Sequence, residues 1–289
     1  MTTRSAAGGR QTGAVSSRPR ANVPAMGELV HLDVDAGTAT ITLDSPPNRN
    51  ALSADLRREF TAHLRTAFDD EAVRVVVLTH TGPVFCSGMD LRESRGAGAD
   101  DQGVHEFPRI LEMLWTSPKP VVARLAGPAR AGGVGLVAAC DIAVAVRGAD
   151  GTKGATFAFS EVRIGVVPAV ISLTVLPRVL PRAAHELMLT GETFDADRAA
   201  AVGLINSAVD HGALDAEATR YRDMLARGAP AALAGTKALL RRSRAEDIHD
   251  DVEAMLELSS GFFASDEGQE GMAAFAEKRS PSWVPDALR

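Results

Sequence analysis

The residues with the most chemical potential in this 289-residue sequence are glycines in two short segments. Phe85-Cys86-Ser87-Gly88-Met89-Asp90-Leu91 follows an apolar run ending at Leu78, and Ala131-Gly132-Gly133-Val134-Gly135 follows one ending at Leu125. Glycine lets backbone approach a ligand closely, and a helix start presents N–H groups that lack intrahelical partners. Two such donors aimed at one point form an oxyanion hole, suited to a thioester that passes through an enolate. Either segment alone fits equally a tight turn with close helix–strand packing. Gly133-x-Gly135-x-x-Ala138 also matches a relaxed dinucleotide fingerprint, but the strand expected at Ile142 to Val146 ends without the acid that fingerprint needs. Ser87 has no G-x-S-x-G elbow and no assigned histidine, and reads as a turn serine. Cys86 and Cys140 lie in apolar runs and read as buried, inert thiols.

The elements that must position these segments are legible in the pattern of the chain. Val30, Leu32 and Val34 alternate with polar residues, Asp35-Ala36-Gly37 supplies a turn, and Ala39, Ile41 and Leu43 resume the alternation, which predicts a hairpin. Ser53 caps a predicted helix with Leu56, Phe60, Leu64 and Phe68 on one face. Val73 to Leu78 reads as a buried strand, and a helix around Ile110 to Trp115 leads to the strand Val121 to Leu125. Beyond the second glycine segment and its short helix, strands are predicted at Ile142 to Val146, near Thr156 to Phe159 and near Leu204 to Val209. From Leu214 onward the pattern is helical. Alternating strands and helices predict one α/β domain, divided as a core over 27–212 and a helical C-terminal region over 213–289.

Composition bounds the function classes. A net charge of −6 argues against bulk nucleic-acid binding but leaves room for a phosphorylated ligand held by a few cations. No apolar run reaches the roughly 18–20 residues of a membrane span. Two cysteines at unrelated spacing suggest neither a disulfide framework nor a metal site, so a cytoplasmic, reducing compartment is expected. Residues 1–26 read as a disordered tail, with four arginines and no acid before Glu28. A transit peptide shares that composition, but the amphipathic apolar face it needs is missing.

Taken together, these motifs resemble the enoyl-CoA hydratase/isomerase (crotonase) superfamily. Leu78 through Phe85-Cys86-Ser87-Gly88-Met89-Asp90-Leu91 is similar to its first signature, and Pro118-Lys119-Pro120-Val121 through Gly132-Gly133 to Cys140-Asp141-Ile142 to its second. Leu189-Thr190-Gly191-Glu192 through Asn206, and Glu270-Gly271-Met272 through Arg279, follow in the family's order. The likeness runs from about Glu28 to the C-terminus. It implies a spiral of ββα units with trimerising C-terminal helices, assembled as a trimer or a pair of trimers. It implies oxyanion donors at the Met89 and Gly132 amides, and a coenzyme A passage along Ser87, Met89, Asp90, Leu91 and Arg92. It places Phe275 and Lys278 at the adenine end of the ligand, across a subunit boundary. No metal is implied, and no cofactor beyond the coenzyme A that is part of the substrate.

The sequence departs from the resemblance at one decisive place. Typical hydratases of the family carry two glutamates as acid and base; here the first position is Gly135, and the second is matched by Glu161. Glu161 alone could serve hydration as base and then acid, or shuttle a proton between α and γ carbons in double-bond isomerisation. A second acid could come from Glu106, Glu112 or Asp150, or the chain could bind acyl-CoA without turnover. Val166-Val167-Pro168-Ala169-Val170-Ile171-Ser172 replaces a glycine-rich stretch with bulkier residues and is similar to the bacterial branch acting on methylglutaconyl-CoA. The expected activity is addition of water to a 2-enoyl-CoA, with Glu161 activating the water.

Overall fold

The computed structural model describes residues 1–2, 27–93, 106–148, 153–242 and 248–289. Residues 3–26, nearly all of the expected tail, and Asp150 lie outside the described residues. The predicted hairpin forms from β1 (Val30–Asp35) and β2 (Thr38–Leu43), in register Val30↔Leu43 through Asp35↔Thr38. Its turn needs positive φ at Ala36 (46°) and Gly37 (79°), which is why two small residues occupy it. Helix α1 (Ala54–Asp69) starts where expected, the Ser53 side chain accepting from Leu56 N at 3.3 Å. Its buried stripe is Leu56, Phe60 and Leu64, with the Arg57 side chain buried beside them.

The chain then winds between two sheets. The strands β3 (Val75–His80), β4 (Val121–Leu125), β6 (Ile142–Val146) and β9 (Ser207–Val209) extend the first sheet to six, in the order β1-β2-β3-β4-β6-β9. Short strands β5 (Ala129–Arg130), β7 (Thr156–Ala158) and β8 (Phe194–Asp195) form a second, three-stranded sheet. After β4 the chain passes back and forth between the sheets, to β5 in the second, β6 in the first, β7 and β8 in the second and β9 in the first, which produces the expected spiral. Helices α2 (Glu106–Thr116), α3 (Gly132–Ala139), α4 (Ala169–Val175), α5 (Pro181–Thr190) and α6 (Ala196–Ala201) occupy the connections. The two-residue strands β5 and β8 carry no periodicity to detect, and the predicted strand at Val73 begins two residues later.

Why β3, β4 and β6 read as unbroken apolar runs is visible in their two faces. Val76, Leu78, Ala123, Ala143 and Ala145 enter the main core, whereas Val75, Val77 and Val122 pack with Tyr221, Leu225 and Ala226 of α7 (Leu214–Ala226). Val144 and Val146 meet Leu214 on the same outer side. A parallel strand covered on both faces loses the polar alternation of a half-exposed one.

The last helices are α8 (Pro230–Arg241), α9 (Ile248–Ala264) and α10 (Asp266–Glu277). An ion pair joins α8 to the core. The Lys237 side chain, 8% exposed, donates Nζ to Asp141 Oδ2 at 2.6 Å and to Lys119 O at 2.9 Å. Asp141 Oδ2 also accepts from Val121 N at 2.8 Å, so one carboxylate starts β4 and receives the helix. Burial pushes the lysine pKa down, against the pull of Asp141. Removing one partner of such a pair strands the other charge, at about 3–5 kcal/mol when fully buried. Because the Asp141 side chain retains 22% exposure, Lys237→Met is expected near the lower end of that range, read as a lowered urea midpoint.

Candidate active site

The two glycine segments meet backbone to backbone. Cys86 bridges to Ala129, Arg130 N donates to Cys86 O at 2.9 Å, and Phe85 N donates to Pro128 O at 3.0 Å. Gly133 is glycine because a Cβ there would stand 2.5 Å from Cys86 O. Gly88 has φ +91°, and a Cβ on it would lie 3.1 Å from Arg130 O and 3.5 Å from Gly132 N, which places the two expected donor regions in contact. Burial pushes the Cys86 thiol up to about 12, consistent with an inert packing residue behind this junction.

The geometry aims the amides. Leu52 N donates to Gly88 O at 2.8 Å, so the N–H of the same trans peptide, that of Met89, points away from Leu52. Gly132 is the first residue of α3, whose Val134 and Gly135 amides both return to Ala131 O. Among the described residues, neither the Met89 nor the Gly132 amide donates to a partner. Both line one pocket of about 330 Å³ with Ser87, Leu91, Phe107 and Glu161.

The support under the first segment escaped the sequence reading. Asn50 is fully buried at positive φ (53°); its Oδ1 accepts from Ser45 N at 2.6 Å, and its Nδ2 donates to Thr81 O at 3.1 Å and Val84 O at 2.7 Å. One amide side chain thus ties the turn before α1 to the loop after β3. An asparagine beside Arg49, in an otherwise loop-like Ser45–Asn50 stretch, is the signal that could have marked it.

Glu161 reaches the pocket from the second sheet. Phe157 and Phe159 are fully buried and their rings lie 5.8 Å and 5.9 Å from that of Phe194, which anchors β7 and the helical turn Ser160–Ile164 that follows. Glu161 is 9% exposed, and its buried Oε2 has no hydrogen-bond partner among the described residues. Desolvation holds its carboxyl above the usual carboxylate range, opposed only by its own backbone amide. The remaining lining is Ile164, Val166, Val167, Pro168, Val170 and Ile171 with Pro108 and small residues, so Glu161 is the one ionisable group among the described lining residues. Among the described residues, no cluster of His, Cys, Asp and Glu is placed to hold a metal ion.

Neither Glu106 nor Glu112 supplies a second acid to the pocket. Glu106 is held by Arg57 Nε at 2.9 Å, Glu112 is exposed on α2, neither lines the pocket, and Asp150 lies outside the described residues. Nor is there room at Gly135. A Cβ there would stand 2.6 Å from Ile171 Cγ2 and 3.1 Å from its Cβ, so α4 has grown into the space a side chain of α3 would take. Thr174 Oγ1 seals the contact by donating to Gly135 O at 3.1 Å.

Of the other expected site residues, Ser87 lines the pocket, its Oγ donating to Asn48 O at 3.4 Å rather than to a histidine. Asp90 Oδ1 accepts from Arg92 N at 3.0 Å, holding the turn that carries exposed Leu91 and Arg92. Phe275, 87% exposed, and Lys278, in the left-handed conformation at the end of α10, are not brought to the pocket within this chain.

Two outcomes follow from this geometry. Gly135→Ala, which in an open helix would stabilise by up to about 1 kcal/mol, is expected instead to destabilise by about 1–3 kcal/mol. In Gly135→Ala/Ile171→Ala the clash is relieved, so denaturant titration should show the double variant losing less than the sum of the singles. Glu161 gives a pH signature: a raised carboxyl pKa adds stability that is fully present below the ordinary range, 4.5, and is lost as pH rises through the folded value. Glu161→Gln is therefore expected to melt above the wild type by about 2–4 °C at neutral pH, with the gap closing in acid.

Known proteins place this architecture. The rat mitochondrial enoyl-CoA hydratase domain-containing protein 3 is 33% identical, over 86% of this chain and 81% of its own. The carnitinyl-CoA dehydratase of Proteus mirabilis is 32% identical, over 89% of this chain and 99% of its own. The crystal structure of an enoyl-CoA hydratase from Mycobacterium avium superposes with a TM-score of 0.66 at 44% identity, over 89% of this chain and all of that one. The family model described as enoyl-CoA hydratase/isomerase matches residues 33–285, and the chain belongs to that family, the crotonase superfamily.

Proposed function

We propose that the protein is an enoyl-CoA hydratase that adds water across the 2,3 double bond of an acyl thioester. The observation that carries the reading is a buried carboxylate in the same pocket as two amides, its Oε2 and both N–H groups without a partner among the described residues. The thioester oxygen accepts from the Met89 and Gly132 amides. Glu161 takes a proton from water as its oxygen bonds to C3, and the double-bond electrons move through C2 to the thioester oxygen. The enolate collapses, and C2 takes the proton back from the Glu161 carboxyl. Hydroxyl and proton arrive on one face, the thioester being the only electron sink required. Each donor is worth roughly 3–4 kcal/mol of barrier. A carboxyl held above its usual range suits both halves, basic enough to take the proton and acidic enough to return it.

The lining also bears on the acyl group. Leu91, Phe107, Ile164, Val166, Val167 and Ile171 suit an uncharged aliphatic chain. Among the described lining residues no cation faces a second carboxylate of the kind methylglutaconyl-CoA carries, and Glu161 would repel it. A neutral, short or branched 2-enoyl-CoA is the favoured substrate. Because a single carboxylate also suffices to move a proton from C2 to C4, Δ3-Δ2-enoyl-CoA isomerisation is the second reading.

Crotonyl-CoA is expected to lose its conjugated absorbance with the wild type, faster than 3-methylglutaconyl-CoA at equal concentration. Glu161→Gln should lower kcat about 10²–10⁴-fold with little change in KM. A wild type silent on both, but converting a 3-enoyl-CoA into the conjugated isomer, would reject hydration in favour of isomerisation.

A further inference from the structure

The oxyanion amide and the carboxylate arrive on different strands, and something must fix one against the other. Strand β5 ends at Arg130, two residues before Gly132; β7 runs parallel to it, Ala129↔Phe157 and Arg130↔Ala158, and Glu161 follows three residues after β7 ends. The Arg130 guanidinium spans the pair. Its Nη1 donates to Ala129 O at 2.9 Å and Thr156 O at 2.5 Å, and its Nη2 donates to Thr156 Oγ1 at 2.7 Å.

This cation serves no evident electrostatic purpose. It is half-buried, and among the described residues no carboxylate pairs with it. Burial pushes its pKa down with no opposing charge. A desolvated charge that only binds main chain and a hydroxyl is costly, so its role lies in the geometry it enforces. The next residue shows what that geometry is. Ala131 has φ 46° and ψ −116°, a strained backbone for a residue with a Cβ, at the turn that presents the Gly132 amide. Such strain persists only where the surroundings over-determine it. Here the determinants are Ala131 N to Ala158 O at 3.0 Å, Arg130 N to Cys86 O, and the guanidinium clamp.

We infer that Arg130 is a positioning residue, locking the strand that delivers Gly132 to the strand that delivers Glu161 and so setting the oxyanion hole relative to the carboxylate. The inference rests on the hydratase reading of the pocket. Lysine offers no planar fork and cannot reproduce the clamp.

The test compares wild type, Arg130→Lys, Arg130→Met and Thr156→Val in crotonyl-CoA hydration. It also follows the infrared carbonyl stretch of bound butyryl-CoA, a saturated thioester that reports the oxyanion hole without turnover. The expected result is a kcat lowered about 10- to 100-fold in both Arg130 variants, with KM little changed. A smaller loss is expected in Thr156→Val, and in all three the stretch returns toward its value in free butyryl-CoA. If Arg130→Met does not fold, Thr156→Val keeps the cation while removing one acceptor, and its stretch decides. An unshifted stretch and unchanged kcat in folded variants would overturn the role of Arg130 and leave hydration standing. A wild type that hydrates nothing rejects the hydratase reading, while the butyryl-CoA stretch still decides the clamp.

Discussion

Two backbone amides can aim at one point only if no side chain stands between the segments that carry them, and the site depends on that constraint. Gly88 and Gly133 meet it. At either position a Cβ would press on the other segment's backbone, on Arg130 O at 3.1 Å or Cys86 O at 2.5 Å. Bare backbone lets the segments hydrogen-bond directly, and the loop after β3 is joined to β5 of the second sheet at that junction through Cys86 and Ala129. Most of the surrounding structure keeps the contact in place: Asn50 under the first segment, β7 beside the second, and apolar α2, α3 and α4 packed above.

The same packing decides which proton-transfer groups the pocket contains. Gly135 has no side chain and α4 has filled the space with Ile171, a β-branched residue whose methyl has little freedom to withdraw. What remains is Glu161, held by an aromatic anchor rather than by charge partners. An unpaired carboxylate in an apolar wall is poor for stability and useful for moving protons, a conflict that active sites commonly contain.

Much of this was legible in the sequence. The hairpin, the Ser53-capped helix, and the strands at Val121–Leu125 and Ile142–Val146 follow from local pattern, because period and capping are properties of neighbouring residues. The glycine segments and Glu161 were visible as motifs, since their chemistry depends on residue type and order. Residues whose value lies in a partner far along the chain were not visible. Asn50 acts on carbonyls of Thr81 and Val84, Arg130 on Thr156, and Ile171 on Gly135.

The sequence by itself determined the family, the alternation of strands and helices, and the kinds of group present: unhindered amides and a matched carboxylate at Glu161. Only the tertiary structure decided that Met89 and Gly132 open into the same pocket as Glu161, that Glu106 is spent on Arg57, and that no second acid fits at Gly135. The physical reason is that desolvation, steric exclusion and convergence of donors are properties of a volume. A volume is set by residues tens of positions apart, whose meeting no local pattern encodes.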